Sequence, residues 1–390
     1  MADPDPSPPP DPEAEKAHEF AARFQALPAA THPWTSPTHL LVGANVAAFV
    51  VMAAVFDAGW IEPASMRPYN LFAANNGAAT TDGEWWRLLT SMFVHYGLMH
   101  LLLNMWALLN IGPFLERLLG RALFGLIYLG AGLEGGLLSI AWNGDRVWSA
   151  GASGAIFGLY GALIGWLLHE KQGLPRRVFQ PMLRSSLLFT ALNVFFGLAR
   201  PGIDNACHLG GFATGLVLGW LTALPVDPAR RARAAGSRRW LAAGLVAGVT
   251  ALGMWFTPRF DYSVRDELAW SDANKGWPEK EQDLIRQSNA QLQHYQQAGD
   301  NGAAYAAWLT AEMIPFYTHW QERLAALALT PGRITARRAA VIREVLRVKI
   351  AGYQQLARGV QAKDPAGVSA YVQAEQEAIR LIRQLDSGKP

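Results

Sequence analysis

The chain is 390 residues long, 51% of them hydrophobic, and its formal net charge is +3. A charge this small argues against a nucleic-acid-binding protein, and from Asp261 onward 16 Lys and Arg are balanced by 15 Asp and Glu. Cys207 is the only cysteine, which excludes an internal disulfide.

Residues 1–37 are rich in Pro, Asp and Ala, and this composition predicts a disordered N-terminal segment. They lack the basic region and adjoining apolar stretch of a cleavable signal peptide. The first apolar stretch begins at Thr38 and is predicted to be an uncleaved membrane span.

Most of the apolar residues lie between positions 38 and 260, in segments long enough to cross a bilayer, which takes about 20 residues. Seven segments qualify: 38–57, 93–112, 122–142, 151–168, 180–198, 205–224 and 240–257. The pattern predicts an all-α polytopic membrane protein.

Lys and Arg are unevenly distributed among the connections between these spans. The connections after spans two, four and six hold ten, and the others hold four. The ten are Arg117, Arg121, Lys171, Arg176, Arg177, Arg230, Arg231, Arg233, Arg238 and Arg239; the four are Arg67, Arg87, Arg146 and Arg200. Because positively charged loops stay in the cytoplasm, the N-terminus is predicted to be cytoplasmic and the tail after span seven to lie outside.

The tail, roughly 279–386, has helical periodicity interrupted at Asp300, 330–332 and 364–365, which predicts a bundle of three or four helices. Several apolar residues recur there at helical spacing: Tyr305, Trp308, Phe316, Trp320, Leu324 and Leu327. They form either the core of the bundle or a partly exposed surface that holds the outer part of another protein.

Polar residues inside membrane spans are costly and are therefore candidates for function. His100 and Asn104 are four residues apart in span two, so they share one helix face. Ser153 and His208 stand near the outer ends of spans four and six, at similar depth, on helices predicted to run in the same direction.

Small residues recur every three or four positions in spans four and six, a spacing that lets helix backbones pack closely in lipid. They are Gly154, Gly158, Gly161 and Gly165 in span four, and Gly211, Gly215 and Gly219 in span six. Close approach is what a hydrogen bond between Ser153 and His208 requires. Taken singly, each residue is more simply a packing or back-bonded residue, but together they favour a Ser–His catalytic pair.

These motifs together resemble those of the rhomboid intramembrane serine proteases. The resemblance rests on Trp86-Arg87, on His95 with His100 and Asn104, on Gly151-Ala-Ser153-Gly154, and on His208 before a Gly-rich helix. It covers about residues 38–224, and implies a six-helix catalytic core. Residues 225–258 would then form a basic cytoplasmic loop and an added seventh helix, and 259–390 an extracytoplasmic helical domain.

The resemblance also implies a role for each matching residue. Ser153 would attack the scissile carbonyl and His208 would take its proton. His100 and Asn104, with the Ser153 backbone N–H, would bind the oxyanion, and His95 would support the outer loop and the site. No metal or organic cofactor is implied.

Other positions are given supporting roles: Trp86, Arg87, Gly151, Gly154 and Phe157. Phe157 stands one turn after Ser153, where the best-known family pattern has a tyrosine that stacks on the histidine. A phenylalanine keeps the ring and loses the hydroxyl.

Three further polar residues have simpler interpretations. Asp204, one turn before His208, is predicted to cap the helix rather than to complete a triad. Cys207 points about 100° away from its neighbour His208, so a Cys–His pair is not expected. Glu134, in the middle of span three, is expected to hydrogen-bond a neighbouring helix; the alternative is a role in supplying water to the site.

The expected partners are transmembrane protein substrates and the lipid bilayer, with an extracytoplasmic protein partner of the tail as a further expectation. Substrates would enter between spans two and five, with 58–92 as a lid. The absence of a transit peptide favours a bacterial plasma membrane. The alternatives are an inactive relative that binds membrane proteins without cutting them, and a transporter, which would need inverted repeats.

Overall fold

The computed structural model describes residues 11–29, 32–200, 202–298 and 302–386, and within these ranges it contains helices and no strands. The chain divides into two compact units, one ending at Phe260 and the other starting at Asp261. The prediction of an all-α polytopic membrane protein is confirmed.

The described part of the first unit contains eleven α-helices. They are α1 (Pro12–Gln25), α2 (Pro37–Val55), α3 (Arg67–Phe72), α4 (Gly77–Thr81), α5 (Arg87–Thr90), α6 (Leu98–Leu119), α7 (Arg121–Asn143), α8 (Ser153–Glu170), α9 (Arg176–Ala199), α10 (Asn205–Leu221) and α11 (Pro228–Phe256).

Five of these helices are long and apolar enough to cross a membrane: α2, α6, α7, α9 and α11. The other two long apolar helices, α8 and α10, have 18 and 17 residues and are rich in glycine. Almost all of α8 is buried among its neighbours, with 14 residues shielded. That α8 and α10 also span the bilayer stays a prediction.

Two spans start five or more residues from their predicted positions. The second span begins at Leu98 rather than at 93, because Gly97 has φ +87° and interrupts the helix. The seventh helix begins at Pro228 rather than at 240, because the Asp227 side chain caps its start and accepts from the Arg230 N–H at 2.8 Å. The first three turns of α11 therefore occupy what was predicted to be a loop.

The predicted disorder of residues 1–37 is wrong for residues 12–25, which form α1. Asp11 caps this helix, and Pro12 starts it. The Phe24 ring stacks on Phe114 of α6, with ring centroids 4.9 Å apart. These local signals outweigh the polar composition; residues 1–10 and 30–31 lie outside the described ranges.

Glu134 of α7 accepts a hydrogen bond from the Thr250 hydroxyl of α11 at 2.5 Å. The expected hydrogen bond to a neighbouring helix is therefore present. It joins the seventh helix to the core within the apolar part of both helices, where an unpaired polar group would be costly.

The second unit is a bundle of helices with its own aromatic core. Its helices are α12 (Val264–Asn274), α13 (Trp277–Ala298), α14 (Ala303–Trp308), a π-helical turn (Leu309–Met313), α15 (Ile314–Ala325), α16 (Ile334–Ala362) and α17 (Pro365–Asp386). The breaks predicted at 330–332 and 364–365 are confirmed, and Asp300 lies outside the described residues.

The aromatic residues of the tail pack inward. Tyr305, Phe316 and Leu324 are buried, and Trp308, Trp320 and Leu327 pack partly buried against the same core. The simpler interpretation, that these residues form the bundle's own core, accounts for their spacing.

Candidate active site

The helices that carry Ser153 and His208 are in backbone contact. A side chain added to any of three glycines of α10 would overlap a carbonyl oxygen of α8. The pairs are Gly211 with Gly154, Gly215 with Gly158, and Gly219 with Ala162. Because both members of each pair rise in number together, the two helices run in the same direction, as predicted.

This contact brings the predicted nucleophile and base together. The His208 Nε2 and the Ser153 Oγ are 2.8 Å apart, within hydrogen-bonding distance. Ser153 is the first residue of α8. The backbone N–H groups of this first turn therefore have no carbonyl partner within the helix. His208 is buried in the first turn of α10.

Phe157 lies beside the imidazole ring, one turn after Ser153. The two ring centroids are 4.3 Å apart and the planes are 6° from parallel. The stacking fixes the plane of the imidazole. The hydrogen bond to Ser153 then fixes how the ring is turned within that plane. The Phe ring supplies this contact without a hydroxyl.

Among the described residues, no carboxylate forms a hydrogen bond or ion pair with His208. If Nε2 accepts the hydrogen of Ser153, then Nδ1 carries the ring hydrogen, and this buried atom has no hydrogen-bond partner among the described residues. The arrangement is a pair of residues rather than a triad. Within the described ranges, no three His, Cys, Asp or Glu residues are grouped in a way that could hold a metal ion.

His100 and Asn104 lie opposite Gly151, two residues before Ser153. Gly151 has φ +119°, and an added Cβ there would meet His100 Nε2 at 2.8 Å and Asn104 Nδ2 at 3.9 Å. The His100 Nδ1 accepts from the Tyr96 N–H at 3.3 Å, which leaves Nε2 to carry a hydrogen as a donor. Because Gly151 lacks a side chain, it leaves room beside the His100 ring and the Asn104 amide.

His95 supports the backbone in front of the nucleophile. It is fully buried, its Nε2 accepts from the Ala152 N–H at 3.4 Å, and its ring packs edge-on against His100 at 4.9 Å. Gly154, on the far side of Ser153, packs against Cys207. Cys207 therefore faces the α8 backbone, which agrees with the expectation that it does not pair with His208.

Trp86 and Arg87 lie in the segment between α2 and α6. Trp86 is 50% exposed, whereas Arg87 is 2% exposed and organises the segment between α2 and α6. Its guanidinium donates to the carbonyls of Asn70, Leu71 and Ala74 at 2.8 to 2.9 Å. This segment reaches the site by an antiparallel pairing of Asn75 with Ser149.

The start of α10 is held by residues that sequence reasoning missed. Asp204 caps the helix by accepting from the Cys207 N–H at 3.1 Å, as predicted. It also accepts from Ser139 at 2.5 Å and from Asn143 at 3.1 Å, both on α7. Their spacing of four places them on one face at the C-terminal end of α7, a signal that was available in the sequence.

Comparisons with known proteins cover the part of the chain that contains these residues. Residues 82–225 match the Rhomboid domain. The chain is similar to the rhomboid protease GluP of Bacillus subtilis, at 37% identity over 45% of this chain and 32% of that protein. It is also similar to the putative rhomboid protease YdcA of Bacillus subtilis, at 36% identity over 39% of this chain and 71% of that protein.

The chain is also similar to plant proteins. RHOMBOID-like protein 2 of Arabidopsis thaliana is 42% identical over 36% of this chain and 43% of that protein. The chain thus spans about a third of the length of GluP and less than half of this plant relative. The Rhomboid domain match ends at residue 225, before the second unit starts at Asp261.

Proposed function

The chain belongs to the rhomboid family, and we propose that it is an intramembrane serine endopeptidase with Ser153 as nucleophile and His208 as general base. The observation that carries the proposal is the 2.8 Å contact between Ser153 Oγ and His208 Nε2. A serine hydroxyl is a weak nucleophile unless a neighbouring base accepts its proton.

In the proposed reaction, Ser153 Oγ attacks the scissile carbonyl while His208 Nε2 takes the hydroxyl proton. His208 then gives that proton to the departing amine, which leaves an acyl-enzyme. A water molecule attacks the ester, His208 takes its proton, and the proton returns to Ser153 Oγ as the new carboxyl group departs. The phenyl ring of Phe157 keeps the imidazole in the plane that these transfers need.

The negative charge of the tetrahedral intermediate needs donors that are in position before the reaction. The Ser153 backbone N–H supplies one at the positive end of α8. His100 and Asn104 supply the others, which is supported by their position across from Gly151. Asn104 Nδ2 donates one hydrogen to the His100 carbonyl at 2.9 Å, which leaves its second hydrogen for the oxyanion.

The proposed substrates are proteins with transmembrane or membrane-proximal segments, which enter between α6 and α9. Only Ser186 and Gly197 of α9 are buried in the described structure, so this helix has few contacts to lose when it moves. The residues between α2 and α6 would act as a lid over Ser153.

The distribution of Lys and Arg supports a cytoplasmic N-terminus and an outward-facing site. On this orientation, in a bacterial plasma membrane, residues 259–390 form a domain on the same side as the site. Its aromatic residues form its own core. A protein partner of this domain would therefore have to bind the exposed faces of its helices.

The proposal predicts that the purified protein in detergent cleaves a model substrate with one transmembrane segment. Ser153→Ala should abolish cleavage, because no other hydroxyl replaces the nucleophile, while the unfolding temperature stays near that of the wild type. Ser237→Ala, which removes an exposed hydroxyl on α11, is the matched control and should cleave normally.

Cleavage by Ser153→Ala at a measurable rate would contradict the proposal. A wild-type protein that binds the substrate but never cuts it would favour the alternative, an inactive rhomboid-like protein that binds membrane proteins.

A further inference from the structure

The first turns of α9 carry an open groove lined by basic side chains. Arg176, Arg177, Gln180, Pro181 and Arg184 surround a space of about 510 Å³, and all five are exposed. Positions 176, 180 and 184 are four residues apart and share one helix face. Arg176 and Arg184 are therefore separated by only about 12 Å along the axis of α9.

This groove lies where α9 enters the membrane. A span of about 20 residues counted back from the end of α9 at Ala199 begins near Gln180. Arg184 thus falls one turn inside the apolar part, and Arg176 lies one turn outside it. A long arginine side chain at that depth extends toward the lipid phosphates rather than into the hydrocarbon.

The charges in the groove are only partly neutralised by the protein. Arg177 forms an ion pair with Asp11 of α1, and the Arg176 backbone N–H donates to Glu13 at 2.8 Å. Within the described ranges, the guanidinium groups of Arg176 and Arg184 have no carboxylate partner. Two positive charges are therefore left facing one groove at the level of the lipid headgroups.

The surface next to the groove on the membrane side is apolar. Leu187 and Leu188 follow Arg184 by three and four residues and are 48% and 55% exposed. A ligand with a negative headgroup and an acyl chain would thus find guanidinium groups at one end and apolar side chains at the other. A zwitterionic headgroup would bring an ammonium group close to the same guanidinium groups.

We propose that this groove is a binding site for an anionic glycerophospholipid, whose phosphate is held by Arg176 and Arg184. Guanidinium groups bind phosphate through paired, charge-assisted hydrogen bonds. Arg177 is already held by Asp11, so it positions α1 beside the lipid. The lipid proposal requires only that α9 is inserted in the membrane. It does not depend on the proposed peptidase activity.

The test measures lipid binding to the full-length protein by its unfolding temperature in detergent micelles that contain increasing phosphatidylglycerol. The unfolding temperature of the wild type should rise with phosphatidylglycerol and not with phosphatidylcholine, since a ligand of the folded state stabilises it. Arg184→Gln and Arg176→Gln should each need about tenfold more phosphatidylglycerol for the same rise. Arg184 is exposed and its guanidinium has no hydrogen-bond or ion-pair partner among the described residues, so the Gln variant should fold.

Arg233→Gln is the matched control, because Arg233 is an exposed arginine at the start of α11 and lies outside the groove. It should respond as the wild type does. The proposal is overturned if the double variant Arg176→Gln/Arg184→Gln keeps the wild-type response, or if phosphatidylcholine acts equally well. An equal rise with inorganic phosphate alone would identify an ion site and overturn the lipid assignment.

Discussion

At the scale of single residues, the candidate site brings the Ser153 hydroxyl within 2.8 Å of the His208 imidazole. The meeting of Ser153 and His208 was predicted from the sequence, because both are polar residues at the starts of apolar segments whose glycines allow close helix contact. The backbone at Gly151 could not be predicted, since its φ of +119° depends on how the chain approaches α8 from the preceding loop. The unpartnered His208 Nδ1 likewise appears only in the folded chain.

The oxyanion donors give a prediction at this scale. His100→Ala and Asn104→Ala should each lower kcat by about 100- to 1000-fold, the cost of removing one oxyanion donor in serine proteases. KM should change much less, because the donors are needed most where charge develops in the transition state. Steady-state kinetics on the model transmembrane substrate measures both constants.

Asn110→Ala is the control for these variants, because Asn110 is an exposed amide on the same helix, α6. Its kcat should match that of the wild type. The His100 ring also accepts from Tyr96 N–H, so the unfolding temperature of each variant must be measured alongside. Wild-type kcat in both His100→Ala and Asn104→Ala would mean that the oxyanion is bound elsewhere.

At the scale of helices, the contact between α8 and α10 decides whether the pair of residues can meet. Its existence and direction followed from glycine spacing and span order in the sequence. The docking of α1 did not, because it depends on tertiary contacts: the Phe24–Phe114 stack and a hydrogen bond from Arg117 to the Leu27 carbonyl at 3.2 Å. A Pro- and Asp-rich composition is a weaker indicator than such contacts.

Gly211→Val tests this helix contact. The new side chain would meet the Gly154 carbonyl, so α10 must shift away from α8, at a cost of roughly 1–3 kcal/mol of stability. We expect a lower unfolding temperature and a loss of most cleavage activity, since His208 moves with α10. Thermal unfolding and the cleavage assay measure the two effects.

The matched control is Gly125→Val on α7, where nothing lies within 4 Å of the added Cβ. This variant should keep both stability and activity. If Gly211→Val has the wild-type unfolding temperature, then α8 and α10 are not in backbone contact there.

At the scale of the molecule, the sequence predicted a helical membrane core and a separate polar, helical tail. Hydropathy carries this information because a bilayer span must satisfy every backbone group internally and present apolar side chains to lipid. The starts of helices were less accurately predicted. The helix α11 begins 12 residues before its apolar part, because Asp227 caps it and Pro228 is its first residue. The first turns of this helix are basic, and hydropathy does not detect them. The tail's core was foreseen from helical periodicity alone, which says nothing about its binding partners.

The most direct measurement is covalent labelling of the intact protein by a fluorophosphonate, which reacts with a serine that is activated as a nucleophile. Peptide mass spectrometry of the labelled wild type should place the adduct on Ser153. His208→Ala should lose the adduct while remaining folded, because the base that activates the hydroxyl is gone. A folded wild-type protein that carries no adduct, or carries it on another serine, would contradict the assignment of Ser153 as the nucleophile.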